Sequence, residues 1–258
     1  MSKTMKQIAV LFLCGVCLFG CESKLQKKDK LGANPAMEGF DWEGSDPAAI
    51  ELADSIMVAM GGRENWDKTR FISWDFFDVR HLVWDKFTGR VRIDSYADNR
   101  TYLINVNTDT GRVKRYDGEI SNPDTVKKYV GFGKSIWIND SYWLVMPFKL
   151  KDKGVTLKYL GADTVTGTKK YNVLEVTFKE VGDTPQNKYR LYVDINTKLV
   201  MLWAYFIDAS QEQPRWVRPW DTYQKYGDIL LSADRSDGKG PWGVKVSETL
   251  PDSVFTKF

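Results

Sequence analysis

The sequence predicts a mainly β chain with some α-helix, folded as a single domain of about eleven antiparallel strands. Three observations carry this. From Thr69 onward the apolar residues change from helical spacing to strict alternation. Short clusters of Asp, Asn, Thr and Gly separate the alternating runs, and such short turns join antiparallel neighbours. No strand-helix-strand rhythm appears, which argues against a parallel sheet.

The first element is a helix. Asp46 is placed to cap it and Pro47 suits its first turn. Ala49, Leu52, Ala53, Ile56 and Met60 form one stripe, and Gly61-Gly62 ends it, since glycine accepts the left-handed conformation there. Next, Ile72, Trp74 and Phe76 alternate with Ser73 and Asp75, and Leu82 and Trp84 with His81 and Asp85. Val91 and Ile93 alternate with Arg90, Arg92 and Asp94; Tyr102, Ile104 and Val106 follow, and 112–116 is a fifth strand. Residues 121–150 interrupt this meander. Asn122-Pro123-Asp124 starts a helix that Gly131 and Gly133 are expected to break. A second helix over 135–145 is apolar on most of its circumference, and Met146-Pro147-Phe148 ends it. Such a segment must be buried on several sides or cover something. Strands resume at 155–160, 171–178, 188–193, 199–207 and 216–223, with 229–233 and 244–247 last. Asp194-Ile195-Asn196-Thr197 is the tight turn between two of the longest.

Ahead of the first helix the chain has another character. Lys3 and Lys6 precede an apolar run over 8–19, too short to span a bilayer and right for a secretory signal. The run ends Leu18-Phe19-Gly20-Cys21, which resembles the bacterial lipobox. The resemblance implies cleavage before Cys21, diacylation of its thiol and acylation of the new N-terminus. Residues 1–20 are then a lipoprotein signal peptide, 21–46 a lipidated cysteine with a flexible tether, and 47–258 the domain. In the tether Lys24, Lys27, Lys28 and Lys30 outnumber Glu22 and Asp29 amid Gly, Ala, Asn and Pro, a composition with too little apolar surface to fold. No acid-rich run follows Cys21, so the anchor is expected in the cell envelope, at the outer membrane facing the periplasm.

Cleavage would leave 238 of the 258 residues, enough for a sizeable core. Cys14 and Cys17 leave with the signal and Cys21 carries lipid, so the body is expected to have neither disulfide nor thiol chemistry. Losing Lys3 and Lys6 brings the formal charge from +3 to about +1, which gives no reason to propose nucleic acid as a partner. No second apolar run approaches membrane-spanning length, so a soluble body held only by its lipid is expected, as a monomer. The compositional outlier is aromatic: ten Trp, twelve Tyr and thirteen Phe.

A leading helix, a long antiparallel meander, an apolar helical insertion and the late hairpin Tyr189-Arg190-Leu191-Tyr192-Val193-Asp194-Ile195-Asn196-Thr197-Lys198-Leu199-Val200 together resemble the LolA/LolB-like lipoprotein carrier and receptor superfamily. The run Ser135-Ile136-Trp137-Ile138-Asn139-Asp140-Ser141-Tyr142-Trp143-Leu144 also resembles Bacteroidetes lipoproteins of unassigned function. The match covers most of 47–233 and contains no catalytic signature. It implies an incomplete β-barrel whose helices cover a hydrophobic cavity for acyl chains. The tail from Asp234 lies outside the matched pattern.

Residue chemistry gives little sign of catalysis. His81 is the only histidine and sits in the polar register of a strand, so zinc or nucleophile systems have few parts to use. Asn105-x-Asn107-x-Asp109 hints at a calcium loop, but the glycine falls one place late and Tyr116 stands where a bidentate Glu belongs, so a turn is expected. Trp42-Glu43, Trp66-Asp67, Trp74-Asp75, Trp84-Asp85 and Trp220-Asp221 pair tryptophan with acid. Strand alternation turns Trp74 and Trp84 inward and Asp75 and Asp85 toward water. Converging pairs would instead suit a carbohydrate-binding module, and a fully packed core would suit a purely structural lipoprotein. No carboxylate pair stands out for glycoside hydrolysis. No enzyme, metal or cofactor is expected.

The aromatic content supports a ligand cavity. Ten tryptophans, at about 150–250 Å² each, supply ample burial for a domain of this size, so part of the interior can stay unfilled. An empty apolar cavity costs stability and would be kept for a ligand. Candidate liners are Ile72, Trp74, Phe76, Leu82, Trp84, Ile93 and Ile104, with a cover from Trp137, Tyr142, Trp143, Met146 and Phe148. A sixteen-carbon chain represents on the order of 12 kcal/mol of transfer energy, and a membrane offers the same. A binder must therefore match the bilayer almost evenly. Two or more acyl chains on Cys21 would anchor stably, so the expected role is an anchored acceptor of an acylated ligand or lipoprotein.

Overall fold

The computed structural model describes residues 34–164 and 169–258; Cys21 and the signal peptide lie outside them. The first sheet is a meander in strict chain order: β1 (Phe71–Phe76), β2 (Arg80–Asp85), β3 (Arg90–Ser95), β4 (Arg100–Asn105), β5 (Thr110–Arg115) and the short β6 (Gly118–Glu119). The second is a meander of β7 (Val155–Asp163), β8 (Tyr171–Phe178), β9 (Lys188–Asp194), β10 (Val200–Phe206) and β11 (Trp216–Pro219). β12 (Tyr223–Tyr226) and β13 (Ile229–Ser232) form a separate ribbon, and β14 (Pro241–Ser247) returns to pair with β1, giving the first sheet seven strands. Every pairing described is antiparallel, and neither large sheet closes on itself. The chain is thus mainly β, an incomplete barrel, with fourteen strands among the described residues where about eleven were expected. The run 216–223 divides into β11 and β12, and β6 is too short to leave a pattern.

The helices are α1 (Pro47–Ala59), α2 (Arg63–Lys68), α3 (Pro123–Val145) and α4 (Ser253–Thr256). α3 is one continuous helix of 23 residues, so Gly131 and Gly133 do not break it. Gly133 has a packing reason instead: a Cβ there would sit 3.0 Å from Tyr102 Cδ1 and 3.2 Å from Ile104 Cδ1. Its bare backbone lets α3 lie close on the first sheet. Asn122 caps the helix, its Oδ1 accepting from the Thr125 amide at 3.0 Å. Asp46 does not cap α1; its carboxylate accepts from Lys158 Nζ at 2.9 Å and the Tyr159 amide at 3.1 Å, tying the helix start to β7.

Residues 34–46, read from composition as tether, run along the start of β7. The Asp41 amide donates to the Val155 carbonyl and the Asp46 amide to that of Leu157. At its far end α3 is held between the two sheets. Trp143 lies 5.9 Å from Phe76 and 5.4 Å from Phe77 of the first sheet's end, and 4.8 Å from Trp203 and 5.6 Å from Trp216 of the second. One hydrophobic core, containing Trp74, Ile93, Ile136, Leu144, Leu157 and Trp203, spans both sheets and the helix between them. The tail from Asp234 is part of this body: it supplies β14, and Phe255 of α4 stacks on Phe71. No helix among the described residues is long and apolar enough to cross a membrane.

Candidate functional site

A cavity of about 460 Å³ opens between the C-terminal half of α3 and the five-stranded sheet. That volume falls within the range of about 300–1,000 Å³ typical of small-ligand sites. Trp137, Tyr142 and Trp143 come from α3, Val155 from β7, Phe178 from β8 and Tyr189 from β9. The turn after α3 adds Lys149, Asp152 and Lys153, and the β8–β9 loop adds Val181, Asp183, Thr184 and Asn187. α3 supplies its three aromatics from two turns held between the sheets: Trp137 also packs on Trp84 at 5.3 Å and Trp143 on Phe76 at 5.9 Å, both of the first sheet. Phe178 and Tyr189 face them by strand alternation.

The walls are apolar and ring-lined. Tyr142 packs 6.1 Å from Phe178 and 5.5 Å from Tyr189, and Tyr189 stacks on Trp203 at 5.5 Å. Burial, and then the neighbouring Tyr189 and Asp152, push the Tyr142 phenol well above its ordinary value; burial does the same to Tyr189. Both hydroxyls therefore stay protonated and can serve as donors but not as bases. Polar groups are few. Lys149 pairs with Asp152 at the rim. Trp137 Nε1 and Asn187 Oδ1 are buried with no hydrogen-bond partner among the described residues. Asn187 is fixed by its own loop, its Nδ2 donating to Thr184 Oγ1 at 2.6 Å.

Of the twelve cavity residues expected from the sequence, the structure brings Trp137, Tyr142 and Trp143 to this cavity. Ile72, Trp74, Phe76, Leu82, Trp84, Ile93 and Ile104 point inward but are buried in the shared core, as are Met146 and Phe148, the latter stacked 4.4 Å from Trp66. Phe178 and Tyr189 were legible as inward positions of aromatic strands. Nothing in the sequence brings the 181–187 loop to this place. The expected lipidation site, Cys21, lies outside the described residues.

The other motifs resolve into structure. His81 Nδ1 lies 2.8 Å from Asp75 Oδ1 on the outer face of the first sheet. Asn105 Oδ1 accepts from the Asn107 and Thr108 amides, closing the turn, and no group of three metal-ligating acidic, His or Cys side chains gathers among the described residues. Trp66, Trp74, Trp84 and Trp220 are buried, so only Trp42 shares an open surface with its acid, Glu43. Asp85 does not face water as expected: it is fully buried beneath Arg70 and Arg90, each 3.2 Å away. A second cleft, of about 420 Å³, lies on the same outer face, where Tyr96, Tyr116 and Phe258 meet charged side chains such as Asp94, Arg100 and Arg115.

No protein-family model matches the chain, and no curated protein does. Among solved structures it is similar to a DUF1329 family protein from Desulfovibrio piger, at 14% identity over 82% of this chain and 98% of that one, with a TM-score of 0.42. It is also similar to an outer membrane lipoprotein-sorting protein domain from Vibrio parahaemolyticus, at 10% identity over 72% of this chain and 80% of that one, with a TM-score of 0.33.

Proposed function

We propose that this chain is a lipid-anchored cell-envelope protein that binds the hydrocarbon part of an acylated ligand and acts without catalysis. The observation that carries the proposal is the ring-lined, mainly apolar cavity beside α3, about 460 Å³. Its size sharpens the reading. It equals the liquid volume of about fifteen water molecules, room for one hydrocarbon tail and not for three. The occupant is then a single-chain amphiphile or one chain of a larger lipid. The lipobox at Leu18-Phe19-Gly20-Cys21 supports the anchor, and the envelope location follows from it. With Trp66, Trp74, Trp84 and Trp220 buried, the carbohydrate-binding alternative keeps one of its five tryptophan–acid pairs on the surface, Trp42 with Glu43.

The test is lipid mass spectrometry on protein purified from its native membrane, together with uptake of a fluorescent fatty acid by the unlipidated Cys21→Ser chain. Val181→Glu places a carboxylate in the cavity mouth, on a loop, where folding is not at stake. We expect one-chain lipid to co-purify and Val181→Glu to weaken fatty-acid uptake at least tenfold. Uptake absent from the parent chain, or equal in the variant, overturns the proposal.

A further inference from the structure

The chain enters its folded body beside the mouth of the cavity. Lys153 and Val155 line the cavity, and both are held by the N-terminal segment. The Met37 amide donates to the Lys151 carbonyl, the Gly154 amide to Gly39 and the Asp41 amide to Val155. Lys179, which starts the β8–β9 loop over the cavity, pairs with Asp41 at 2.7 Å. Gly39 packs against the stem of Lys153. This same segment carries two exposed large apolar side chains, Met37 at 49% and Trp42 at 43%. Trp42 is braced by Phe40, 5.1 Å away, which is itself buried, so it stands out from an anchored turn. Asn34, where the described chain begins, is buried against Asp54 only three residues before Met37.

We infer that Met37, Trp42 and the cavity mouth form one membrane-docking surface, and that the cavity opens onto the bilayer that holds Cys21. Twelve residues lie between Cys21 and Asn34, thirteen chain steps that reach at most about 45 Å. The lipid anchor therefore keeps this end of the body near the surface. Trp and Met are side chains suited to the headgroup boundary, where an apolar face is covered and a polar edge stays wet. Lys24, Lys27, Lys28 and Lys30 in the intervening segment favour an anionic leaflet. A tail leaving that leaflet would enter the cavity without crossing water. This orientation rests on the acyl-binding reading and gives its ligand a source: the anchor's own membrane, in cis.

The experiment uses the mature lipidated protein in vesicles of phosphatidylethanolamine and phosphatidylglycerol. Cys14 and Cys17 are gone with the signal and Cys21 is acylated, so a single introduced thiol takes a fluorophore. Met37→Cys and Trp42→Cys report on the docking surface, and Tyr116→Cys, on the β5–β6 turn, is the comparison. Doxyl-labelled lipids should quench the first two at least twofold more than the third, and aqueous iodide should do the reverse. Equal quenching at all three sites overturns the inference. So does shielding from iodide that is already present without vesicles, which would mean that a second copy covers the surface. Fatty-acid uptake by the unlipidated Cys21→Ser chain is measured alongside, so a docking failure stays separable from a cavity that binds nothing.

Discussion

Asp85 shows how far single residues on the outer face of the first sheet depart from simple alternation. Strand β2 turns it away from the core, yet it is fully buried, because Arg70, Arg90 and the end of the chain lie over it. Burial alone would raise its pKa; hydrogen bonds from Arg70, Thr88 and Arg90 outweigh that and hold it at about 2. An aspartate held below its ordinary 3.8 contributes stability that is complete above that value and disappears as pH falls through about 2. Asp85→Asn should therefore cost about 3 kcal/mol at pH 7, since it leaves two arginines over a neutral group. The gap to the parent should shrink below about pH 4. Urea unfolding of both proteins at pH 7 and pH 3 checks this; a gap that does not change with pH would show that packing, not charge, makes the site. No local pattern signals this burial, because the covering residues Asp252 and Phe255 lie more than 160 positions away and come from the tail. Arg235 is hidden for the same reason: it donates to the Trp143 carbonyl at 2.5 Å and covers Trp220 at 3.8 Å, so the tail also finishes the end of α3.

At the scale of elements, what was legible is what local pattern controls. The strands of both meanders, the stripe of α1, the Asn122 start of α3 and the turn at Asp194, whose Oδ1 accepts from the Asn196 and Thr197 amides, all follow from spacing and turn chemistry. α3 shows where that stops. Two glycines read as a break when only propensity is counted, at about 1 kcal/mol each. Contact with Tyr102 and Ile104, thirty positions earlier, decides instead. The two glycines should therefore behave differently. Gly131 is exposed with no neighbour within 4 Å of an added Cβ, so Gly131→Ala should stabilise by about 0.5–1 kcal/mol. Gly133→Ala meets Tyr102 at 3.0 Å and should gain less or lose, and Gly133→Val should cost about 1–3 kcal/mol through overpacking. Thermal denaturation of the three variants decides it. Equal gains at both alanine substitutions would mean that the helix does not press on the sheet as described. The cavity depends on the same packing: with α3 held against the first sheet at Gly133, Tyr142 on its other side faces Phe178 and Tyr189 of the second, while Trp137, one turn on from Gly133, lines the cavity from beside Trp84 of the first.

The molecule as a whole is joined where its ends meet. β14 pairs with β1 from Phe71 opposite Ser247 to Phe76 opposite Pro241, so the first strand of the meander is completed by almost the last segment of the chain. Such a long-range closure cannot be read from local periodicity, and the tail from Asp234 therefore fell outside the recognised pattern. Its energetic parts are separable. Stopping the chain after Leu250 removes α4 and exposes Phe71 and Val83, which Phe255 covers. Burial of one such side chain is worth about 1.5–3 kcal/mol, so this truncation should fold with a Tm lower by about 5–10 °C. Stopping after Ala233 removes far more. β1 loses its outer partner and becomes an open edge, and the Trp143 carbonyl loses Arg235. Trp143 touches both sheets, so loosening the end of α3 loosens the contact that holds them together. The longer truncation should lose its cooperative thermal transition and aggregate, whereas the shorter one keeps both the transition and fatty-acid uptake. Differential scanning calorimetry of the two side by side separates these outcomes. If the chain ending at Ala233 still melts cooperatively, β14 is an ornament on a sheet that stands without it, and the closure of first strand by last is not what holds α3 beside its cavity.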